Sequence, residues 1–190
     1  RAWSRLWLET AGVSTLRPVL EVDDRGLIAS AVIEQTCAPG FETVRPHTLN
    51  VGLYAVRDGA LHRTDVIAVD VDGAVTEVAE LVGREQPDLL LVNDDDLAYA
   101  KIRLDERSLA TALTHPRGFS SSLPRSLVLA CLWDMTRDAE MGARAFVDVV
   151  LVILVVFIVT AKLIVARGVE IDKPKASTGG DVQSTLRISV

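Results

Sequence analysis

The feature that most constrains the fold is a series of short apolar runs separated by compact turn sequences. Arg57-Asp58-Gly59 and Asp72-Gly73 are turn sequences typical of β-hairpins. The apolar runs occupy residues 18–22, 27–35, 45–56, 61–71, 74–78 and 89–92. Turns at such short and fairly regular intervals predict a small β-sandwich.

Helical patterns lie on both sides of these runs. Trp3, Leu6 and Trp7 recur at helical spacing, which predicts the last turns of a helix ending at Gly12. Residues 108–113 predict a short helix, and residues 124–141 predict a longer one that opens at Pro124. Proline suits a first helical turn because its missing N–H would have no partner there.

The charge balance and the cysteines exclude several classes of protein. The chain has 190 residues, with 20 Lys and Arg against 26 Asp and Glu, which gives a net charge of −6. Since nucleic-acid binding requires a basic face, we expect no nucleic-acid partner. Cys37 and Cys131 form no metal or redox spacing and no disulfide scaffold, so we expect a reducing compartment. The chain begins at Arg1, and we expect it to be an internal piece of a longer protein.

Metal chemistry finds little support in the residues. A zinc hydrolase needs imidazoles converging on one ion, but His47, His62 and His115 have no second histidine within four residues. His47 and His62 could meet across a hairpin, or they could be edge histidines. The densest carboxylate cluster, residues 93–96, could hold calcium, or it could be a turn whose Asx side chains bond nearby backbone groups.

The sequence gives equally little support for a catalytic nucleophile. Residues 120–122 are three serines without a partner base, and nearby His115 adds little. Cys131 lies on a helix among apolar residues, so we expect it to pack rather than react. Asp134 and Asp138 lie one helical turn apart, and we expect them to pair with a neighbouring helix. The residues alone therefore predict a β-sandwich leading into helices, without an active site.

Three separated parts of the chain have distinctive sequences. The first, residues 7–18, reads WLETAGVSTLRP. The second reads PDLLLVNDDD at residues 87–96 and YAKIRLD at 99–105, and the third reads LPRSL at 123–127 and WDMTRDAE at 133–140. In this order the three parts resemble the join after the catalytic domain, the end of the β-sandwich domain and the first helix of the C-terminal helical domain in the zinc-dependent aminopeptidase N family, in its actinobacterial form. The resemblance covers about residues 1–151.

The resemblance implies a zinc metallopeptidase that removes single residues from peptide N-termini, acting in the cytoplasm. Its fold would be mainly β with α: a β-sandwich domain at 18–105, flanked by the end of a helical catalytic domain at 1–17 and the start of a C-terminal α-helical domain at 106–148. Neither His-Glu-x-x-His nor Gly-Ala-Met-Glu-Asn occurs in this chain. We therefore assign it no catalytic, cofactor-binding or metal-binding residue. Zinc and peptide substrates would belong to the full-length parent, and Trp3 and Trp7 would pack at the junction with the catalytic domain.

The family pattern fails after about Leu151. The apolar run that starts at Val149 and ends at Ala166 is interrupted only by Thr160 and Lys162, and it is long enough to cross a membrane. Three interpretations stay open: a frameshifted or fused end, a membrane span, and a buried strand or core helix. If the run spans a membrane, the chain is a membrane-anchored, non-catalytic β-sandwich binding module. Residues 167–190 predict a polar, flexible tail.

Overall fold

The computed structural model describes residues 2–166, with side chains from residue 3 to residue 161. Four helices and seven strands occur in this range, together with a 3₁₀ turn at Ala79–Leu81. The helices are α1 (Ala2–Leu8), α2 (Glu106–Thr114), α3 (Ser122–Arg137) and α4 (Ala143–Ala166). The strands are β1 (Ser14–Val22), β2 (Ile28–Cys37), β3 (His47–Arg57), β4 (Ala60–Val71), β5 (Val75–Glu77), β6 (Leu89–Val92) and β7 (Lys101–Ile102).

The strands form two sheets, which confirms the mainly β fold with added helices. One sheet has the order β5-β2-β1-β7, and the other has the order β4-β3-β6. All neighbouring strands are antiparallel except β1 and β7, which pair in parallel through Thr15–Lys101 and Leu16–Ile102. The parallel pair follows from the long route of the chain, which crosses the second sheet before it returns beside β1.

Both sheets contribute to one hydrophobic core. Its fully buried side chains include Leu16 and Ile33 from the first sheet and Leu49 and Leu90 from the second. Strand β6 is buried at all four positions, as its uninterrupted apolar sequence predicts, whereas β1 alternates between buried and partly exposed residues. Each fully buried leucine stabilises the fold by about 2 kcal/mol.

Two of the sandwich's boundaries differ from the sequence prediction. Helix α1 ends at Leu8 rather than at Gly12, and β1 begins at Ser14 rather than at residue 18. Gly12 has a φ of +93°, and a Cβ there would lie 2.5 Å from Phe41 Cβ. Glycine is therefore required for a close approach to the β2–β3 loop, and not for capping the helix.

Helices α2 and α3 are present as predicted, but each begins two residues earlier, at Glu106 and Ser122, and α3 ends at Arg137 rather than at residue 141. The Asp105 carboxylate accepts hydrogen bonds from the backbone N–H groups of Arg107 and Ser108, so it caps α2. Pro124 lies in the first turn of α3, where no hydrogen bond is lost. Helix α3 buries Val128, Cys131, Leu132 and Met135 against the core.

The apolar run is a helix, but that helix starts earlier than predicted, at Ala143. Val149 is buried in the core, whereas Leu154, Phe157 and Ile158 are more than half exposed. A buried strand or core helix is therefore wrong for the described part of this run. Of the described residues, those up to Val155 form one compact unit, and those from Val156 onwards form a second. The predicted tail at 167–190 and the side chain of Lys162 lie outside the described range.

Candidate functional site

One arginine attaches the N-terminal helix to the sandwich. Arg45 lies just before β3, and only 4% of its surface is exposed. Its Nε donates to the carbonyl oxygen of Leu6 at 2.8 Å, and its Nη1 donates to that of Gly12 at 2.9 Å. Its Nη2 donates to Thr10 Oγ1 at 2.8 Å and to the carbonyl oxygen of Ala11 at 3.0 Å. One guanidinium thus forms hydrogen bonds both to the end of α1 and to the segment that follows it.

The chemistry of helix ends explains why an arginine occupies this position. The last carbonyl groups of a helix lack partners within the helix, and they carry the negative end of its dipole. A guanidinium offers five N–H donors and a permanent positive charge. Arg45 also lies over the Trp7 ring, 5.5 Å from its centroid, and its backbone N–H donates to Gln35 Oε1 at 3.0 Å. The Arg45 side chain therefore connects the end of α1 to the segment before β3, and the Arg45 backbone connects that segment to β2.

A groove of about 660 Å³ opens beside Arg45, and we call it the α1 groove. Its walls come from α1, the start of β3, the end of β4 and the loop between β6 and β7. The side chains that line it include Trp3, Trp7, His47, Asp72, Leu97 and Tyr99. The α1 groove therefore combines aromatic walls with an acidic edge.

Three aromatic rings, those of Trp3, Trp7 and His47, contact one another along one wall of the α1 groove. The ring centroids of Trp3 and Trp7 are 6.3 Å apart, and Trp7 meets His47 edge to face at 5.3 Å. His47 Nε2 lies 3.3 Å from Gln35 Oε1, so the hydrogen-bond network assigns the proton to Nε2. Burial, and then the charge of Arg45, lowers the pKa of His47 and keeps the imidazole neutral. His47 Nδ1 and Trp7 Nε1 are buried without a hydrogen-bond partner in the described part of the chain.

The acidic cluster at residues 93–96 is a structural turn. Asp94, which is 1% exposed, accepts a hydrogen bond from Tyr54 Oη at 2.6 Å and pairs with Arg63 Nη1 at 2.9 Å. Asp95 accepts from Asn50 Nδ2 at 2.7 Å, and this bond is the main cause of its lowered pKa. Burial, followed by the bond to Asp94, raises the pKa of Tyr54. The carboxylates therefore face protein donors.

The same turn is closed by an asparagine and requires a glycine opposite. Asn93 has a φ of 63°, its Oδ1 accepts from the backbone N–H of Ala98, and its Nδ2 donates to the carbonyl oxygen of Ala98, both at 2.9 Å. This matches the predicted Asx-type turn. A Cβ on Gly52 would lie 2.4 Å from Asp94 Oδ2, so only glycine leaves room for the buried carboxylate.

The three histidines do not form a zinc centre. His47 pairs with Val71 and His62 pairs with Ala55, which places the two histidines at opposite ends of the β3–β4 hairpin. Eight residues of extended strand separate the two positions by about 27 Å. His115 Nδ1 lies 2.9 Å from the neighbouring Thr114 Oγ1. Across residues 3–161 no group of three His, Cys, Asp or Glu side chains is placed to hold a metal ion. The residues present therefore do not fit the catalytic zinc of the family.

The remaining nucleophile candidates are also unsuited to catalysis. Cys131 is buried, and burial, aided by the charge of Asp134, raises the pKa of its thiol to about 12. It packs in the core, as its helical position predicts. No hydrogen bond links His115 to the serines at 120–122 in the range that the structure describes.

A cluster of five charges joins the end of α3 to the first sheet. Asp138 pairs with Lys101 Nζ at 2.7 Å and also with Arg103. Glu140 pairs with Arg103 Nε at 2.7 Å and also with Arg17. The Lys101 ammonium, together with Arg103, holds the pKa of Asp138 at about 2, although burial opposes the shift. We call this set the Arg103 clamp.

The Arg103 clamp corrects the prediction that Asp134 and Asp138 face a neighbouring helix. Asp134 pairs within α3, with Arg137 at 2.9 Å, while Asp138 reaches strand β7. Asp138 pairs with the sheet and not with a helix because it follows the last residue of α3, where the chain turns back over the sheet.

The residues that hold the site together were not singled out from the sequence. Arg45, Arg63 and Arg103 each bind groups at least 30 residues away in the chain. The only local signal is an arginine within a mostly apolar run, as at Arg45 in the run 45–56 and Arg63 in the run 61–71. Such long-range pairing depends on the fold and not on local spacing.

Comparisons with known proteins agree with this architecture. A family described as ERAP1-like C-terminal domain matches residues 89–156. A second family, described as Biopolymer transport protein ExbD/TolR, matches residues 135–190. Aminopeptidase N of Streptomyces lividans is 49% identical over 159 residues, which is 80% of this chain.

The chain spans only 18% of the length of that relative. Most of the relative therefore lies outside the shared segment. The shared segment contains no His-Glu-x-x-His motif in this chain. Over its matched residues this chain belongs to the zinc-dependent aminopeptidase N family, as a segment from the family's C-terminal side.

Proposed function

We propose that the matched part of this chain is supporting framework of an aminopeptidase that removes N-terminal residues from peptides. The zinc and the peptide substrate would then bind elsewhere in the full-length enzyme, in the cytoplasm. The observation that carries the proposal is the 49% identity to aminopeptidase N in a segment whose ionisable groups point to structure instead of chemistry.

The contacts of the charged residues support a framework role. The best-buried arginines, Arg45 and Arg103, hold a helix end and a turn, and the buried Asp94 holds a loop. Catalytic groups usually have unsatisfied charge near a cleft and a pKa close to neutrality. None of these three groups has an unsatisfied charge, because each pairs or hydrogen-bonds with other residues of the fold.

A segment exchange tests this proposal. Residues 3–142 would replace the matching segment of the Streptomyces lividans aminopeptidase N. We expect the hybrid to fold and to hydrolyse a fluorogenic aminoacyl substrate in the presence of zinc. A hybrid that fails to fold, or that folds and binds zinc but does not hydrolyse the substrate, would contradict the framework role.

A second candidate function is a membrane-anchored binding module. Helix α4 contains a 19-residue segment, Ala143–Ala161, that is long and apolar enough to cross a membrane, and only 6% of it is buried. The core helix of a soluble protein can have the same length and composition, but such a helix would be mostly buried. The match of residues 135–190 to the ExbD/TolR family supports a fused end over a native continuation of the aminopeptidase segment.

Membrane extraction tests the anchor. The chain would be expressed in bacteria, and isolated membranes would be washed with alkaline carbonate. If α4 spans the bilayer, the chain stays with the membranes, and deletion of residues 143–166 releases it. Release of the intact chain by carbonate would contradict the anchor and leave the framework proposal standing.

A further inference from the structure

We propose that two copies of this chain pair through the free edge of strand β4, in antiparallel orientation, with Ala68 of one copy opposite Ala68 of the other. The inference concerns the second sheet and goes beyond the proposed framework function. Three observations support it: β4 has an open edge, that edge lacks the usual protection against pairing, and one register brings two copies together without opposing charges.

Strand β4 is an edge of the second sheet. The order of that sheet is β4-β3-β6, so β4 pairs with β3 on one side. Within residues 2–166 the only bridge on its other side joins Leu61 to Phe119, near the start of the strand. An edge strand presents a row of unpaired N–H and carbonyl groups, to which another strand can bind.

Backbone hydrogen bonds show which way the residues of β3 point. The carbonyl oxygen of Asn50 accepts from the N–H of Asp94 at 3.0 Å, and the N–H of Val56 donates to Asp88 Oδ2 at 2.8 Å. Asp88 and Asp94 lie at the two ends of β6, so the even-numbered residues of β3 direct their backbone groups to β6. The odd-numbered residues therefore direct theirs to β4.

The register of β3 and β4 then identifies the free backbone groups. The odd-numbered residues of β3 from 47 to 53 lie opposite the odd-numbered residues of β4 from 65 to 71 and bond to them. The backbone N–H and carbonyl groups of Val66, Ala68 and Asp70 consequently point away from the sheet. The side chains of these three residues are exposed as well.

This edge lacks the features that usually prevent pairing between edges. Natural edge strands carry lysine or proline, or a bulge that twists the edge away. The segment 66–70 reads VIAVD and contains neither lysine nor proline. The register shift opposite Leu53 and Tyr54 inserts Thr64 into β4, but it lies outside this segment. The open segment is therefore a strand of high β-propensity that is available for pairing.

The register centred on Ala68 uses all three open residues. It places Val66 of each copy opposite Asp70 of the other, and the N–H groups of Ala68 and Asp70 then donate to carbonyl oxygens of the second copy. The Val66 N–H already donates to Asp65 Oδ1 at 2.8 Å. About four backbone hydrogen bonds therefore form between the copies without any rearrangement.

Charge selects this register over its neighbours. A register centred on Val69 would make the two Asp70 carboxylates diagonal neighbours, about 8 Å apart on one face. Centring on Ala68 separates them by four residues of strand, about 13 Å, which exceeds the Debye length of about 8 Å at physiological ionic strength. A register centred on Ile67 would place Asp70 opposite Thr64, at the irregularity, and would lose backbone bonds.

The inner face of β4 fits the same register. Ile67 and Val69 are buried in the core of their own copy. Pairing would place Ile67 of each copy opposite Val69 of the other, and β-branched residues pack well in such cross-strand pairs. The two three-stranded sheets would then form one continuous sheet. A second copy is therefore the occupant that this edge fits.

Disulfide trapping tests both the partner and the register. Ala68→Cys would place two thiols opposite each other, with Cα atoms about 5.5 Å apart, a distance that a disulfide spans. In Val66→Cys or Asp70→Cys alone the thiols would lie about 13 Å apart, whereas a mixture of these two variants would bring them opposite. The full 190-residue chain, in a non-ionic detergent, would be oxidised with copper phenanthroline and separated on a non-reducing gel. The parent chain, with Cys37 and Cys131, gives the background.

We expect Ala68→Cys, and the mixture of Val66→Cys with Asp70→Cys, to form linked dimers at least ten times faster than either of the latter variants alone. Equal rates in all samples would overturn the inference, because association would then not depend on this register, as when α4 holds the copies together. Trapping of Ala68→Cys at the background rate would also overturn it, and a strand from a different molecule on β4 would give that result.

A charge variant measures association without new thiols. Ala68→Lys would oppose two ammonium groups across the paired strands and should raise the dissociation constant of the dimer at least tenfold in sedimentation equilibrium. Ala29→Lys makes the same change at an exposed position of β2, in the other sheet, and should leave the dissociation constant unchanged. Equal dissociation constants in the two variants would show that β4 is not the interface.

Discussion

At the scale of single residues, buried arginines rather than carboxylates organise this molecule. Arg45 satisfies carbonyl groups at the end of α1, and Arg103 holds two carboxylates beyond the end of α3. In both cases one planar side chain reaches several acceptors that are distant in the sequence. Lysine could not replace either, because an ammonium group is a compact charge without the guanidinium's fork of donors.

Replacing Arg45 should destabilise the fold strongly. Arg45→Met keeps most of the side chain's volume but removes the charged donor from the partly buried hydrogen bonds to the carbonyl groups of Leu6, Ala11 and Gly12. We expect a loss of about 3 kcal/mol in the free energy of unfolding. Urea unfolding followed by circular dichroism measures it. Arg25→Met is the control, since that exposed arginine pairs only with nearby Asp23 and should cost about 0.5 kcal/mol or less. Equal losses in the two variants would contradict the anchoring role of Arg45.

The Arg103 clamp should make stability depend on acid. The folded-state pKa of Asp138 is about 2, below its ordinary value of 3.8, so the ionised form is favoured by folding. This stabilisation is fully present above about pH 4 and is lost as the pH falls towards 2. Glu140 adds to it: burial raises the pKa of this carboxyl, but Arg103 and Arg17 together lower it by more.

Lys101→Met isolates the contribution of Asp138. The variant should be less stable than the parent at pH 5. The difference should shrink at pH 2.5, because this pH lies below the ordinary aspartate pKa of 3.8 and approaches the folded-state pKa of Asp138, so folding gains less from the ionised form. Urea unfolding at the two pH values measures the difference. Arg57→Met removes the same charge from an exposed turn and should show no such pH dependence. A constant difference between Lys101→Met and the parent would contradict the assignment.

At the scale of secondary-structure elements, the sandwich strands were predictable and the helix ends were less so. The strands follow from apolar runs bounded by Asp-Gly turns, a local signal that agrees with the final packing. Strand β7 is only two residues long, and it exists because Leu16 and its neighbour pair with Lys101 and Ile102 from the other end of the unit. No local pattern specifies such a pairing.

Helix α4 combines two different environments. Val149 is buried against the core, whereas Leu154 is about half exposed, although both lie in the same apolar sequence. Periodicity could not distinguish them, because a run without polar residues has no detectable buried face. The sequence therefore indicated the apolar run, but neither the start of the helix at Ala143 nor the point where packing against the sandwich stops.

A matched pair of variants separates these environments. Val149→Asp buries a charge in the core and should lower the free energy of unfolding by about 3 kcal/mol. Leu154→Asp should leave that value within about 0.5 kcal/mol, because the residue is exposed. If α4 spans a membrane, Leu154→Asp should instead reduce recovery of the chain in carbonate-washed membranes. Similar losses of stability in the two variants would contradict the difference in packing.

At the scale of the whole molecule, the sequence resembles two unrelated families along its length. Three short segments with distinctive sequences predicted the resemblance to the aminopeptidase N family. The 49% identity to the Streptomyces enzyme confirms this prediction. The expectation of no active site rests partly on the spacing of His47, His62 and His115, and it stays a prediction. The α1 groove was not predictable, since its walls come from four separate segments of the chain: α1, β3, β4 and the β6–β7 loop.

A framework role implies a division of labour within a larger enzyme. A segment that spans 18% of its relative can hold other parts in position without contributing a reacting group. The ion pairs of Arg103 and the shared core of the two sheets suit that role, because they connect helices and strands that lie far apart in the sequence. The central requirement of this role is that the chain has no catalytic chemistry of its own.

The most direct measurement is the rate at which the purified chain, supplied with zinc, hydrolyses a fluorogenic aminoacyl substrate. A framework role predicts no turnover above the buffer rate, with or without a chelator. Turnover that a chelator abolishes, and that is lost in His47→Ala, would contradict it, because the chain would then contain a working metal centre.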